Sequence, residues 1–260
     1  MSRKRRSAAD EPFLLVRSFA SEQASGAVIA HHRHGWNQLV HIASRVMAVD
    51  TERGSWIAPP DWAVWVPVDS RHAIRFISRS SLRTIYLRPD QRPELPENSC
   101  SLAVSPLLRA LILRTVELGM LDERNETEAA MSRLLVAELG LAGPPPFTLP
   151  QPTSEVTVRA ARLITCAAPG TGNLASVARI VGIGARTLER RFRAETGLTP
   201  GRWQQQARLL KGLELIASGA QVKTAAADAG FASASAYIAA FRQSFGTTPA
   251  RYFKVQASSL

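Results

Sequence analysis

VARIVGIGARTLERRFRAETGLTPGRW, residues 177–203, decides the fold because its pattern returns as AAADAGFASASAYIAAFRQSFGTTPARYF, residues 225–253. In the first copy Asn173 is placed to cap a helix whose apolar residues Leu174, Val177, Ala178 and Val181 fall at i, i+3, i+4 and i+7. Gly182 stops that helix, and a second follows within about three residues, with Leu188 and Phe192 one turn apart and Gly197 at its end. Two helices joined by so short a turn form a helix-turn-helix candidate. Thr199-Pro200 then opens a longer helix to about Ala217, with Trp203, Ala207, Leu210 and Leu213 facing inward.

The second copy repeats each signal. Val222, Ala225, Ala226 and Ala229 restate the first stripe, Gly230 the stop, and Ser233 a cap; Tyr237, Phe241 and Phe245 form the inward face. Gly246 and Thr248-Pro249 reproduce Gly197 and Thr199-Pro200, and Tyr252 stands where Trp203 stood. The shift is 48 residues before the turn and 49 after it, so the second turn is one residue longer. A repeat with matching stops and caps is hard to obtain by chance.

Outward from this repeat, charge and proline mark a boundary. Residues 150–260 hold 14 Lys+Arg against 5 Asp+Glu, whereas residues 1–149 hold 18 against 16, four of those basic groups lying in the first six residues. A basic C-terminal unit beside a near-neutral one points to a polyanion partner. GPPPFTLPQPTSE, residues 143–155, has five prolines within nine residues and reads as a linker. Between about 13 and 88 lie short β-rich runs, QLVHIA, RVMAVDT, GSWIAPP, AVWVPV, HAIRFIS and LRTIYL, with turn residues such as Glu52-Arg53-Gly54 and Asp69-Ser70 between them. They suggest an antiparallel barrel or sandwich. From Ser105 to Leu141 the period becomes helical, with Leu107, Leu111 and 114–118 on one stripe and Met131, Leu134, Leu135 and Leu139 on another. No apolar run reaches membrane-spanning length, no apolar segment follows the basic start, and Cys100 and Cys166 build neither a disulfide framework nor a CxxC site. The expectation is a cytoplasmic protein without a membrane partner.

The repeat, with its GF…F…FG.TP..Y signature in the second unit, resembles the DNA-binding domain of AraC/XylS-type transcriptional regulators over about residues 154–254. HRHGWNQL, WIAPPDWAVWVP and the spaced His72 resemble the cupin-like sensor domain of many such regulators over about residues 30–88. The fold class implied is α+β in two domains: an antiparallel cupin-like barrel with helices over residues 13–142, a linker at 143–153, and an all-α double helix-turn-helix over 154–255. The resemblance implies duplex DNA and a small effector as partners. It also implies a homodimer formed through residues 105–141, and contact with RNA polymerase if the protein activates.

The second helix of such a unit lies in the major groove. With Leu188 and Phe192 inward, Arg186, Thr187, Glu189, Arg190 and Arg193 form the candidate DNA face; by the resemblance, Arg186, Glu189 and Arg190 match base-facing positions. Arginine suits guanine O6 and N7, glutamate suits cytosine N4, and Arg193 suits a phosphate. In the second unit the matching positions are Ala234, Ser235, Ile238 and Ala239, with Arg242 for phosphate; relatives place more polar side chains there, and Phe253 stands where the family has arginine. The first unit is thus expected to specify and the second to position. The rigid joining helix, whose Arg202 and Arg208 either pack or reach phosphate, should space the two segments by roughly 34 Å.

HHRHGWNQLVH, residues 31–41, raises the possibility of a metal. On a strand His32 and His34 share a face. A metal-dependent cupin presents H-x-H, a carboxylate and a distant histidine, and His32, His34, Gln38 and His72 stand in those places. Glutamine is neutral and a poorer ligand than glutamate. The approach to His72 also carries Asp69 where that pattern has glycine. The expectation is therefore an effector pocket of His32, His34, Gln38, Trp36 and His72, with Trp56, Trp62 and Trp65 as further apolar surface and no cofactor. A metal-sensing regulator using His32, His34 and His72 is the alternative, followed by a cupin enzyme fused to a DNA reader. His31 and His41 read as structural or surface residues. With no P-loop, HExxH or G-x-S-x-G, no catalytic activity is expected.

Overall fold

The computed structural model describes residues 12–43, 46–51, 54–91, 96–144, 149–166 and 173–257. The basic start, the Glu52-Arg53 turn and residues 145–148 of the proline stretch lie outside them. The chain divides into two compact units on either side of that stretch.

The first unit contains strands β1 (Leu14–Gln23), β2 (Val28–His32), β3 (Asn37–His41), β4 (Met47–Thr51), β5 (Gly54–Ala58), β6 (Trp62–Val66), β7 (His72–Phe76), β8 (Ser80–Leu87), β9 (Cys100–Ala103) and β10 (Met120–Asp122), with helices α1 (Pro106–Leu118) and α2 (Glu126–Leu141). The described strands form a six-stranded sheet, β10-β1-β8-β3-β6-β9, and a four-stranded sheet, β2-β7-β4-β5. The antiparallel domain is as expected, but its strands make two sheets and not one closed ring. Each described pairing within them is antiparallel.

Alternation gives the six-stranded sheet two different faces. Leu39, Trp65, Ile85 and Leu87 point to one side and pack with Leu108, Leu111 and Ile112 of α1 and Leu135 and Leu139 of α2. Gln38, Thr84 and Tyr86 alternate with them and face the other way. β3 and β6 are buried along their whole length, so polar groups there need protein partners. Asn37 Oδ1 accepts from the Val68 N–H (3.0 Å) and His41 Nε2 meets the Pro60 carbonyl (2.9 Å). Ser105 caps α1 ahead of Pro106, and Asn125 caps α2.

The second unit is helical: α3 (Glu155–Cys166), α4 (Leu174–Ile180), α5 (Ala185–Thr196), α6 (Pro200–Ala217), α7 (Val222–Asp228), α8 (Ala234–Phe245) and α9 (Pro249–Ala257). The repeat survives in atomic detail. Four residues separate α4 from α5 and five separate α7 from α8, which is the one-residue difference read from the sequence. Gly197 and Gly246 both end their helices at φ 72°, ψ −5°, and the turn glycines Gly182 and Gly230 also have positive φ (78° and 84°). These left-handed conformations favour glycine, which has no Cβ. Asn173, Thr199 and Ser233 cap through their side chains as their positions suggest.

Part of the proline stretch packs as well. Pro152 is buried, Leu149 lies against the core of the first repeat, and the Trp203 indole N–H donates to the Pro150 carbonyl (2.7 Å). Residues 149–152 are thus anchored to the helical unit, since proline leaves its carbonyl free to accept and its ring free to pack.

Candidate DNA-reading face and histidine site

α5 buries Leu188, Phe192 and Thr196, and the Phe192 ring meets Trp203 of α6 edge-on at 5.5 Å. Burial of that stripe turns the opposite side outward. Arg186, Glu189, Arg190, Arg191 and Arg193 are all exposed, while Thr187 and Ala185 are half-buried beside them. Among the described residues none of these five makes a salt bridge, so their charges face solvent. Glu195 fixes the far end of α5. Its carboxylate accepts from the N–H groups of Thr153 (2.7 Å) and Ser154 (3.0 Å) and from the hydroxyls of Ser154 and Thr157, tying α5 to the start of α3. Burial pushes its pKa up, but these donors outweigh it and hold the group down to about 2.

α8 is held the same way and presents a different surface. Tyr237 and Phe241 are fully buried, with Phe241 stacked on Phe245 at 4.3 Å and edge-on to Tyr252 at 5.5 Å. Ser235, Ala239 and Arg242 are exposed, and Ala234 and Ile238 half-buried. Ser235, Ile238, Ala239, Arg242, Gln243 and Thr248 border an open depression. The positions of α8 that match the candidate reading positions of α5 carry mostly methyl groups, with the Ser235 hydroxyl and the Arg242 guanidinium as their polar groups; Gln243 and Thr248 add an amide and a second hydroxyl at the border. Of the basic residues on α6, Arg202 is exposed, whereas Arg208 lies across Gly230, where a Cβ would stand 3.1 Å from its Nε. Arg208 therefore packs against the turn of the second repeat.

In the first unit the structure brings the sequence-predicted histidines together. His32 and His72 are register partners on β2 and β7, with ring centroids 4.3 Å apart. His34 lies beyond the end of β2, 5.1 Å from His72 and 5.8 Å from His32 by centroid. Candidate ligand nitrogens of all three lie within 4.8 Å of one another; His72 is buried and the other two half-buried. Gln38 reaches the cluster from the facing sheet, its Oε1 standing 2.8 Å from His34 Nε2. Its amide nitrogen donates to Thr84 Oγ1 (2.9 Å) and the Tyr86 hydroxyl (3.1 Å). Tyr86 also meets the His34 ring edge-on at 5.1 Å.

Thr84 and Tyr86 are not among the site residues the sequence points to, nor is Arg17, the register partner of Tyr86 on β1, whose guanidinium sits 4.4 Å over the Trp36 ring. The alternation of LRTIYL signals that Thr84 and Tyr86 share a face, but which strand lies opposite is a tertiary fact. Trp65 is a correction: it faces α1 and α2 within the core and not the histidines, with its indole N–H on the Pro96 carbonyl (3.0 Å). His31 is exposed, and His41 is buried on the helix side of the sheet.

Comparison with known proteins agrees with the helical geometry. A helix-turn-helix domain family matches residues 177–254. The chain is 30% identical over 228 residues to the HTH-type transcriptional regulator NimR of Escherichia coli (strain K12), covering 85% of this chain and 81% of NimR. The HTH-type transcriptional regulator RipA of Corynebacterium glutamicum is 34% identical over 80 residues, 31% of this chain and 24% of RipA. Among solved structures, fatty-acid-bound ToxT from Vibrio cholerae aligns over 92% of this chain and 94% of its own, with 11% identity and a TM-score of 0.39. The repeated units and the near full-length match to NimR establish that the chain belongs to the AraC/XylS-type helix-turn-helix regulators, which bind DNA to control transcription.

Proposed function

We propose that α5 and α8 enter successive major-groove segments of a duplex operator and that α5 carries most of the base reading. The observation behind this is the contrast between the two exposed faces. α5 offers Arg186, Glu189 and Arg190 at its outer surface, and α8 offers Ala234, Ser235, Ile238 and Ala239. Guanidinium and carboxylate groups make hydrogen-bonded base contacts, whereas methyls touch thymine or only exclude water. Arg193 and Arg242, one turn beyond Arg190 and Ile238, are assigned to phosphates. Gel-shift titration of a selected operator and its single-base variants tests this. Arg190→Ala should relax preference at one base pair by about 1–3 kcal/mol. Ser235→Ala should leave preference nearly unchanged; the larger loss falling on Ser235→Ala would reverse the division.

The sheet domain, in this reading, is the controlling part. A ligand seated among His32, His34, Gln38, Trp36 and His72 shifts the protein between states of different DNA affinity. Pairing of two chains through α1 and α2 is supported by Leu107, Leu118, Leu134 and Leu141, exposed along those helices. The regulatory role named for the relatives supports a protein without catalytic turnover, which meets polymerase only if it activates. Among the described residues no helix is long and apolar enough to cross a membrane.

A further inference from the structure

We propose that His32, His34 and His72, with Gln38 Oε1 as fourth donor, bind one exchangeable divalent ion of the zinc class (Zn²⁺, Ni²⁺ or Co²⁺). We propose further that this ion is the ligand that shifts DNA affinity; this regulatory half rests on the reading given under Proposed function.

The first support is how the three rings are held. His32 Nδ1 lies 2.9 Å from the Ala30 carbonyl, His34 Nδ1 2.7 Å from that of Trp36, and His72 Nδ1 2.9 Å from that of Ser70. A carbonyl oxygen only accepts, so each Nδ1 carries a hydrogen and, in a neutral ring, the lone pair sits on Nε2. Metal-binding histidines are oriented in this way, one ring N–H given to a carbonyl so that the other nitrogen is aimed and made more basic. Here three separate backbone stretches do it for three rings whose ligand atoms fall within 4.8 Å of one another. Nitrogens bound tetrahedrally at about 2.0–2.1 Å stand about 3.4 Å apart, so binding draws the ligand atoms together by at most about 1.4 Å.

The second support is Gln38. The Thr84 hydroxyl gives its own hydrogen to the Leu39 carbonyl (2.9 Å), so it can only accept from Gln38. That fixes the amide orientation and aims Oε1, an acceptor, at His34 Nε2 from 2.8 Å. Two lone pairs at that distance repel unless a proton or a cation lies between them. A cation bound by both satisfies them at once.

The donor set selects the ion. Imidazole nitrogens with one amide oxygen suit borderline divalent metals; they lack the carboxylates that Mg²⁺ and Ca²⁺ favour and the thiolates that Cu⁺ favours. All four donors are neutral, and Gln38 is a weaker donor than the charged carboxylate of a glutamate, which favours exchange of the ion over permanent retention. Reversible binding is what a sensor needs and a resident catalytic metal does not.

The test uses the full-length chain stripped with EDTA. Calorimetric titration with Ni²⁺ and Zn²⁺ should give one ion per chain, with no uptake of Mg²⁺, and Co²⁺ should give ligand-field bands without thiolate charge transfer. His72→Ala should weaken binding by about a hundredfold, while His31→Ala, at an exposed position outside the cluster, should not change it. Gln38→Glu should tighten binding at least about tenfold by adding a charged oxygen donor, a gain that a damaged fold cannot produce. Absence of saturable binding, or binding that survives in His72→Ala, overturns the site. Operator affinity measured with EDTA and with Zn²⁺ should differ by about tenfold, within the usual range of allosteric coupling. Stoichiometric binding with unchanged DNA affinity overturns the regulatory reading and leaves the site standing.

Discussion

His41 shows what burial does to one titratable group. Its ring is fully buried on β3, Nε2 meets the Pro60 carbonyl at 2.9 Å, and Nδ1 has no hydrogen-bond partner among the described residues. Burial pushes its pKa down to about 4; the Pro60 carbonyl opposes the shift, and the positive charges of Arg109 and Arg83 add to it. The unfolded chain has an ordinary histidine near 6.5. Between those values the unfolded state holds the extra proton, so stability falls as the medium is acidified. The contribution is complete above about pH 6.5 and is lost progressively toward pH 4, amounting to about 3 kcal/mol by linkage. His41→Gln keeps an N–H donor but does not titrate. Thermal melts in EDTA from pH 7 to 4.5 should therefore drop less steeply for His41→Gln than for wild type. Parallel curves would mean that other groups carry the acid sensitivity.

At the scale of elements, the crossing of α6 with α8 sets how the second repeat is built. A Cβ on Gly212 would overlap the ring of Tyr237, which is fully buried and held in place by Phe231 and Phe241. Alanine in a helix gains about 1 kcal/mol over glycine, whereas forcing a methyl into a packed ring costs about 1–3 kcal/mol. The clash is severe enough that the cost wins, so Gly212→Ala should lower the melting temperature and weaken operator binding by displacing α8. Adding Tyr237→Leu should recover part of the loss, and a single variant as stable as wild type would refute the tight crossing. Gly212 also illustrates what a sequence conceals. Gly182, Gly197, Gly230 and Gly246 are legible because turns and helix ends are local, and each recurs in register. Gly212 answers to a ring 25 residues away. The same holds for the sheets: β3 through β8 follow runs visible in the sequence, but β10, three residues between two helices, has no local pattern to announce it. Thr84 and Tyr86 join Gln38 only through strand pairing, and Trp65 turns away from the histidines because Leu39, its register partner, does.

For the whole molecule the question is whether α5 and α8, the two helices proposed to read DNA, act as one body. α6 is 18 residues long and takes part in both repeats. Trp203 packs on Phe192 near its start, while further along Gly212 lies against the Tyr237 ring and the Leu209 carbonyl accepts from the Tyr237 hydroxyl. At 1.5 Å per residue α6 is about 27 Å long, and it has no proline beyond its first turn. A connection of this kind cannot stretch by a turn of DNA. Two independently tethered units would tolerate an added 10 base pairs, because that insertion restores the same face about 34 Å further on. This chain should not. Once footprinting has located the two contacted segments, inserting 5 base pairs between them puts the second on the opposite face, and inserting 10 puts it out of reach. Both insertions should therefore weaken binding to a similar degree. The loss should be about tenfold or more, equivalent to about 1.4 kcal/mol, and the salt dependence should become shallower as the phosphate contact proposed for Arg242 is lost. Recovery at 10 base pairs would show that the repeats reach DNA through separate chains or a flexible joint, and a rigid α6 would no longer account for operator spacing.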